Sequence, residues 1–236
     1  MPPLSAPEAI VRRRAVRHFD PDRPVPEEVL KAILYLATLA PSGYNLQPWR
    51  FLVVRSRRNR ERLRACAFGQ AKVAEAPVVL IVLGYLHPHR SHLEAMLAEQ
   101  LRRGVITPEA AAALRAKIPR ALERLPDRTV WATRSAMMAA ALLMIAAESL
   151  GVASAPMEGF DPEKIRREFG VPNDHTIGCL IALGYAAETG PFPGRFPLEQ
   201  VCYEEHFGQP WTLGEPTQSR PLDSASSGAY VMTGVF

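Results

Sequence analysis

The side chains best equipped for chemistry in this sequence are cations and amides spread along the chain, not a compact set of nucleophiles. The stretch PSGYNLQPW, residues 41–49, packs two prolines, a glycine, an asparagine and a glutamine into nine positions. A connection needs only turn-formers, so Pro41 and Gly43 are accounted for by chain reversal. Ser42, Asn45 and Gln47 are not, because donors and acceptors spaced along a stiff loop suit a polar, planar ligand. The competing reading is an ordinary turn with Trp49 capping the core. Nothing resembles a nucleophile elbow, a phosphate-binding Walker loop or a dinucleotide glycine fingerprint, so covalent catalysis and ATP chemistry lack support. His87, His89 and His92 in HPHRSH are close, but Pro88 fixes an extended turn there and no carboxylate is placed to complete a ligand set. A solvent-exposed loop is expected at that segment, and no metal.

Length and composition bound the answer. With 236 residues, 47% hydrophobic and 22% charged, the chain reads as globular with one sizeable core. The net charge of +4, from 28 basic against 24 acidic residues, gives weak attraction to anionic ligands and no concentrated nucleic-acid signature. The densest basic run, RSRRNRERLR at 55–64, reads as a strand end followed by a solvated helix start. Cys66, Cys179 and Cys202 are widely spaced and never form a Cys-x-x-Cys pair, which argues against a disulfide framework or a zinc site and fits a reducing compartment. The N-terminus lacks the apolar stretch of a signal peptide. The most apolar uncharged run, SAMMAAALLMIAA at 135–147, falls short of the ~18 residues of a membrane span. A soluble cytoplasmic protein without membrane or nucleic-acid partners is expected.

The elements that must position any site follow from periodicity and caps. Ser5 and Glu8 have capping-box spacing, so a first helix runs from about residue 6 towards the basic cluster at 12–17. EEVLKAILYLATLA places Val29, Leu30, Ile33, Leu34 and Ala37 on one helical face before Pro41. RFLVVRS at 50–56, PVVLIVLG at 77–84 and HTIGCLIALGY at 175–185 read as buried strands. Ser91 with Glu94 offers a second capping box, Gly104 a stop and Thr107 with Pro108 a new start, which makes 91–125 a helical excursion of the kind that forms a lid or pocket wall. Asp127 can cap a long helix over 128–150 that Gly151 ends. That helix is apolar on every side and needs burial all round, which a second subunit supplies most economically. Met137, Met138 and Met144 are read as core and interface packing. Beyond Tyr185 the chain is rich in proline, and only LEQVCY at 198–203 has strand character. From about Gly208 the composition suits a tail that wraps over a partner or is partly disordered.

Five blocks, in this order, resemble the FMN-dependent nitroreductase family: RRRAVRHFD at 12–20, PSGYNLQPW at 41–49, GQAKV at 69–73, APMEGFDPEKI at 155–165 and PGRFP at 193–197. Together they cover most of residues 5–203. The resemblance implies an α+β fold with a central, mostly antiparallel sheet flanked by helices. It also implies a long buried dimer-interface helix and a C-terminal extension reaching the partner subunit. Residues 1–203 would then be one FMN-binding domain, with 91–125 near the pocket and 204–236 as a tail.

The resemblance also implies roles. Arg13 and Arg195 match family arginines on the FMN phosphate, where charge-assisted contacts to a dianion are strong. Arg14 and Ala15 belong to the same block. Ala15 replaces a usual hydroxyl residue, removing a contact worth roughly 1 kcal/mol. Arg17 and Lys72 match cations near the ribityl chain and the pyrimidine edge, where a fixed positive charge favours the reduced flavin. Gln70 stands at or beside the family's amide position. Pro41, Ser42, Gly43 and Asn45 match the segment that reaches the flavin from the other subunit. Pro156, Met157, Glu158 and Gly159 match the stretch against the ring, with backbone N–H groups near Glu158 and Gly159 facing N5. No side chain is assigned as catalytic, the flavin being the reactive group.

The activity implied is ping-pong hydride transfer from NADH or NADPH through FMN to a small electron-poor acceptor, a nitroaromatic or a quinone, in a homodimer with shared active sites. The rival readings are a non-catalytic FMN-binding protein with a blocked pocket and, resting only on the arginine runs, a basic nucleic-acid module.

Overall fold

Runs of β-branched and aliphatic residues form the centre of the fold. In the computed structural model, which describes residues 2–188 and 190–211, they form a four-stranded sheet of order β1-β2-β4-β3, antiparallel throughout. β1 (Trp49–Val54), β2 (Val78–Tyr85) and β4 (His175–Gly184) are the three expected strands. Trp49 stands opposite Gly84 and Val78 opposite Leu183, with a bulge between Val82 and Leu83. β2 and β4 are central and covered on both faces, so they are nearly continuous apolar runs. The fourth strand, β3 (Ala153–Met157), is not evident from the sequence because Pro156 interrupts it. Proline cannot donate to a ladder, and β3 tolerates it as an edge strand.

Helices cover both faces. Their order is α1 (Ala6–Arg12), α2 (Glu27–Ala37), α3 (Arg57–Cys66), α4 (Ala71–Glu75), α5 (Pro88–Ser91), α6 (Leu93–Arg102), α7 (Pro108–Glu123), α8 (Arg128–Ser149) and α9 (Pro162–Phe169). Alternation along β2 and β4 divides the core. Leu80, Val82, Cys179 and Ile181 face α2 and α8, whereas Val79, Ile81, Leu180 and Ala182 face α3, α4 and α9. A third cluster joins α6 and α7 to Leu46, through Leu93, Leu97, Ile118 and Leu122.

α8 organises the first layer. The Asp127 carboxylate accepts from the N–H groups of Thr129 and Val130 at 2.8 and 3.1 Å, and Gly151 follows the helix at φ +74°, as the caps predict. By length and composition α8 is apolar enough to cross a membrane. Here it is a core helix that packs against all four strands through Ala132, Ala136, Ala139, Ala140, Leu143 and Ala147. Burial all round is not reached within one chain: Met138 is 40% and Leu142 36% exposed on the far side.

Three local expectations are corrected. Ser91 does not cap a helix: it ends α5, His92 occupies the N-cap of α6, and the Glu94 carboxylate pairs with Arg115 at 2.8 Å. An ion pair to α7 has displaced the local cap. HPHRSH is a half-buried helical turn instead of an exposed loop, because Pro88 starts α5 and its ring is buried. In the second compact unit, whose described residues are 190–211, LEQVCY contributes one helical turn, α10 (Leu198–Val201), followed by a tight reversal in which Tyr203 bridges Pro210. Most of the tail reading falls on residues 212–236, outside the described residues.

The contact between α8 and the sheet is close at Gly84, where an added Cβ would lie 2.7 Å from the Ala132 carbonyl oxygen and 2.7 Å from Thr176 Cγ2. Gly84→Ala is therefore expected to cost about 1–3 kcal/mol of overpacking. Urea unfolding reads this as a lowered midpoint at unchanged slope, and an unaltered midpoint would show that α8 can shift to accommodate the methyl group.

Candidate functional site

Three of the five cation- and amide-bearing blocks lie along β3: the 12–20 block bonds it near its start, at Ser154, and the 69–73 block bonds the loop just past its end, at Gly159. α1 ends at Arg12 with Arg13 as its cap, and the chain then runs beside β3: Ala15 bridges Ser154, and the Val16 N–H donates to the Ser154 carbonyl at 3.3 Å. Phe19 is buried, and its N–H donates to the Glu75 carboxylate at 3.2 Å, with His18 Nδ1 at 3.2 Å from the same group. Glu75 ends α4, so this bond brings Lys72 and Gln70 to the 13–19 segment. Arg60, on α3, donates to the carbonyls of Ala74 and Ala76 and so satisfies the C-terminal end of α4.

The third block is tied in from the other side. Gln70 Nε2 donates to the Gly159 carbonyl at 2.8 Å and to the Ala67 carbonyl at 3.2 Å, and the Asp161 N–H donates to the Cys66 carbonyl at 2.8 Å. The turn before Gln70 puts Phe68 at φ +54° and Gly69 at φ +77°, the left-handed region that glycine enters without strain. It leaves the Phe68 ring 71% exposed. Glu158 and Gly159 are exposed just past β3, while Met157 is buried and Pro156 half-buried.

The charge of this crevice is positive and partly unspent. Arg13 is half-buried, and its Nη1 is buried without a hydrogen-bond partner; the Ser154 hydroxyl is likewise unpartnered. A buried donor left unmade costs about 1–3 kcal/mol, which an anion on Arg13 would recover. Arg14 donates to the carbonyls of Val11 and Arg13 at 2.6 and 3.0 Å. Among the described residues neither Arg17 nor Lys72 forms an ion pair. Burial pushes the Glu148 carboxyl, on the last turn of α8, above its ordinary value, while Arg12, Arg13 and Arg14 pull it down.

The 41–49 loop has its own framework. The Gln47 N–H donates to Ser42 Oγ at 2.9 Å, and Tyr44, Asn45 and Gln47 hold φ values of +55°, +55° and +47°. Gly43 lies close under Trp131, since an added Cβ would lie 3.3 Å from the indole nitrogen and the ring would have to give by a few tenths of an ångström. Leu46 is fully buried and its carbonyl accepts from His92 Nδ1 at 2.8 Å, while His92 Nε2 accepts from Arg50 Nη2 at 2.5 Å. Both bonds are satisfied only with the imidazole proton on Nδ1. Pro41 and Asn45 remain exposed. This loop leads into one edge strand and the other three blocks gather at the opposite edge, three inter-strand spacings or on the order of 14 Å away. Pro41, Ser42, Gly43 and Asn45 are thus not brought to the crevice of their own chain. Arg195 lies in the second unit, where its Nη1 donates to the Gly194 carbonyl at 2.6 Å and its guanidinium sits 5.4 Å from the Phe192 ring centroid.

Three supports of these segments carry no sequence signal: Glu75, Arg60 and Arg50 are ordinary charged residues until the fold sets them against their partners, whereas His92 stood out only as part of HPHRSH. Beside the loop, Tyr85 stacks on His175 at 4.9 Å, and Arg128 donates to His87 Nδ1 at 3.0 Å. Among the described residues no His, Cys, Asp or Glu group could hold a metal ion. Burial lowers the His87 pKa, helped by Arg90 and Arg128 and opposed by Asp174.

The framework is a helix-flanked antiparallel sheet whose edge strand β3 has, on its outer side, a segment carrying cations that no carboxylate pairs among the described residues. The chain belongs to the nitroreductase family, whose profile, described as "Nitroreductase family", matches residues 10–185. It is 41% identical over 203 residues to a protein of Thermus thermophilus named NADH dehydrogenase, covering 85% of this chain and 96% of that one. It is 31% identical over 194 residues to Bacillus subtilis YodC, which is provisionally named an NAD(P)H nitroreductase, covering 82% and 96%. A nitroreductase-type protein of Exiguobacterium sibiricum, solved in complex with FMN, superposes with a TM-score of 0.81 at 26% identity, covering 87% of this chain and 99% of the other.

The histidine pocket has a pH consequence. Because the folded His87 pKa lies below the unfolded value, the unfolded chain binds more protons once the pH drops below about 6.5, so stability falls through that window. His87→Gln keeps an acceptor for Arg128 and should make the loss smaller. Urea midpoints at pH 7.5 and 5.5 for both proteins test this, and an equal loss in the variant would remove His87 as its source.

Proposed function

We propose that this protein is an FMN-dependent NAD(P)H oxidoreductase that reduces small electron-poor acceptors, nitroaromatics or quinones, by a ping-pong scheme. The observation that carries the reading is the unpartnered Arg13 donor on the segment beside β3, with Arg17 and Lys72 outside any ion pair among the described residues and Glu158 and Gly159 exposed just past the strand. Family membership, and the FMN complex of a structural neighbour, support the choice of ligand. Bound FMN supplies the two-electron chemistry, passing a hydride from NAD(P)H to the acceptor. The chain supplies binding, orientation and electrostatics. Arg13, with Arg14 and Ala15 beside it, holds the phosphate; Arg17 and Lys72 place positive charge along the ribityl chain and the pyrimidine edge; Pro156 to Gly159 present backbone to the ring. A backbone N–H donor at Glu158 or Gly159 serves the N5 position without having to titrate.

The donor is NADH or NADPH, in keeping with the names of the relatives, and the three free cysteines fit a reducing, cytoplasmic setting. Simple mixing tests the reading. The purified protein should be yellow and should bleach when NADH or NADPH is added without oxygen, then recolour on adding a nitroaromatic or quinone. A yellow protein that neither nicotinamide bleaches would instead store flavin, and a colourless protein that takes up no FMN would end the proposal.

We further propose a homodimer with shared sites. Met138 and Leu142 on α8, with Tyr35 and Leu39 on and after α2, expose apolar surface suited to a second copy. A partner would also carry a 41–49 loop to the crevice, which the chain's own loop, at the far edge of the sheet, does not reach. Arg13→Ala and Asn45→Ala should each impair the homodimer, and refolding them together should restore activity in proportion to heterodimer, to roughly half the wild-type value per dimer. One site then collects both lesions and the other is intact. If both residues served one chain's site, every heterodimer site would be damaged and no activity would return.

A further inference from the structure

We infer that Gln70 is a positioning residue, which orients the Gly159 N–H through a chain of backbone bonds and does not itself donate to the ligand. The inference rests on the flavin reading for the identity of the ligand, and on the geometry of this chain for the clamp. A glutamine amide has two N–H donors, and both are used here: Nε2 donates to the Gly159 carbonyl at 2.8 Å and to the Ala67 carbonyl at 3.2 Å. Rotating the amide would set its oxygen against two carbonyl oxygens, so the partners fix the assignment. No donor remains for a ring. Gln70 occupies the N-cap of α4 yet makes no capping bond, which leaves its side chain committed to the neighbouring loop.

The effect propagates through two peptide planes. The Gly159 carbonyl is held by Gln70, and in the same peptide unit the Phe160 N–H donates to the Glu158 carbonyl at 3.1 Å. That unit is pinned at both ends. The Glu158 carbonyl is thereby turned inward towards Phe160, and because the peptide is planar and trans, the Gly159 N–H on the other side of that plane points away from the turn. Both residues are exposed, which leaves the outer side of that peptide open to a ligand. Gly159 itself lies close to the clamp, since an added Cβ would be 3.5 Å from Gln70 Nε2. The crevice therefore owes the direction of its ring-facing donor to a side chain that stands behind it.

Two arms test this, using Gln70→Leu, with Gln70→Met as a second variant should the first fold poorly. In the FMN-free protein, hydrogen exchange at Phe160 is expected to quicken by roughly tenfold, matching the loss of about one hydrogen bond's stabilisation, with exchange in β2 and β4 unchanged. In protein loaded with 15N-labelled FMN, the N5 resonance should move while N1 and N3 stay, and the FMN dissociation constant should remain within about threefold of wild type. A tenfold or greater loss of FMN affinity, with exchange at Phe160 unaltered, would overturn the inference and make Gln70 a direct ligand. If the wild-type chain takes up no FMN, the functional reading fails, while the exchange arm still decides whether the clamp exists.

Discussion

The close approach of α8 to the sheet is the constraint on which the rest of the structure depends. Alanines at 132, 136, 139, 140 and 147, met by Gly84 on β2, let the helix axis settle near enough to pack against all four strands. Large side chains on that face would hold the layers apart and leave voids between Leu80, Val82 and Ile181, each lost contact being small but the sum large. Two consequences follow. Met138 and Leu142 are left on the outer face of α8, half-exposed, while Leu143 stays buried among the alanines. The last turn of the helix, with Glu148 and Ser149, is delivered beneath the N-terminal segment, where the Ser149 hydroxyl and carbonyl bond residue 4 and Glu148 meets the field of Arg12, Arg13 and Arg14.

The crevice at β3 is assembled by tethers more than by packing. α4 is one turn long and could not persist alone in water, since helix nucleation is unfavourable. Gln70 holds its start to the loop after β3, Glu75 holds its end to Phe19, and Arg60 satisfies its last carbonyls from α3. Each tether uses a side chain on a backbone group, a partner that substitution elsewhere in sequence does not remove. The cations that matter for an anionic ligand are those left over: Arg13, Arg17 and Lys72 are not consumed by carboxylates, whereas Arg62, Arg102 and Arg115 on the helices are. That partition, more than the modest net charge, makes one region of the surface receptive to phosphate.

The loop at 41–49 carries a different economy. Three non-glycine residues in left-handed backbone each cost of order 1 kcal/mol or more, and the conformation persists because His92, Arg50, Trp131 and the buried Leu46 over-determine it. The strain leaves Asn45 and Pro41 facing outward from an edge of the sheet. His92 belongs to α6's N-cap, so the helices of 91–125 act first as a brace for this loop.

What the sequence determined by itself was local or pattern-borne. Caps at Ser5, Thr107 and Asp127, the β-branched runs of β1, β2 and β4, and the solvated start of α3 all follow from interactions within a few residues, which any fold of the chain would keep. The family was legible because five blocks occur in order; of these, the first lies beside β3 at Ser154 and the third is bonded to the loop after it at Gly159. Only the tertiary structure decided the rest. β3 needed an edge position to accept Pro156, and the Ser91 cap yielded to an ion pair between α6 and α7. HPHRSH turned inward because Pro88 starts a helical turn that packs against α6 and α7, while His87 accepts from Arg128 of α8. Gln70, read from sequence as a ligand contact, proved to have both donors spent on carbonyls whose positions are set by chain segments as far away as residue 159. A side chain's residue type fixes how many bonds it can make; which groups remain unbonded, and so available to a ligand, depends on partners distant in sequence that only folding brings within reach.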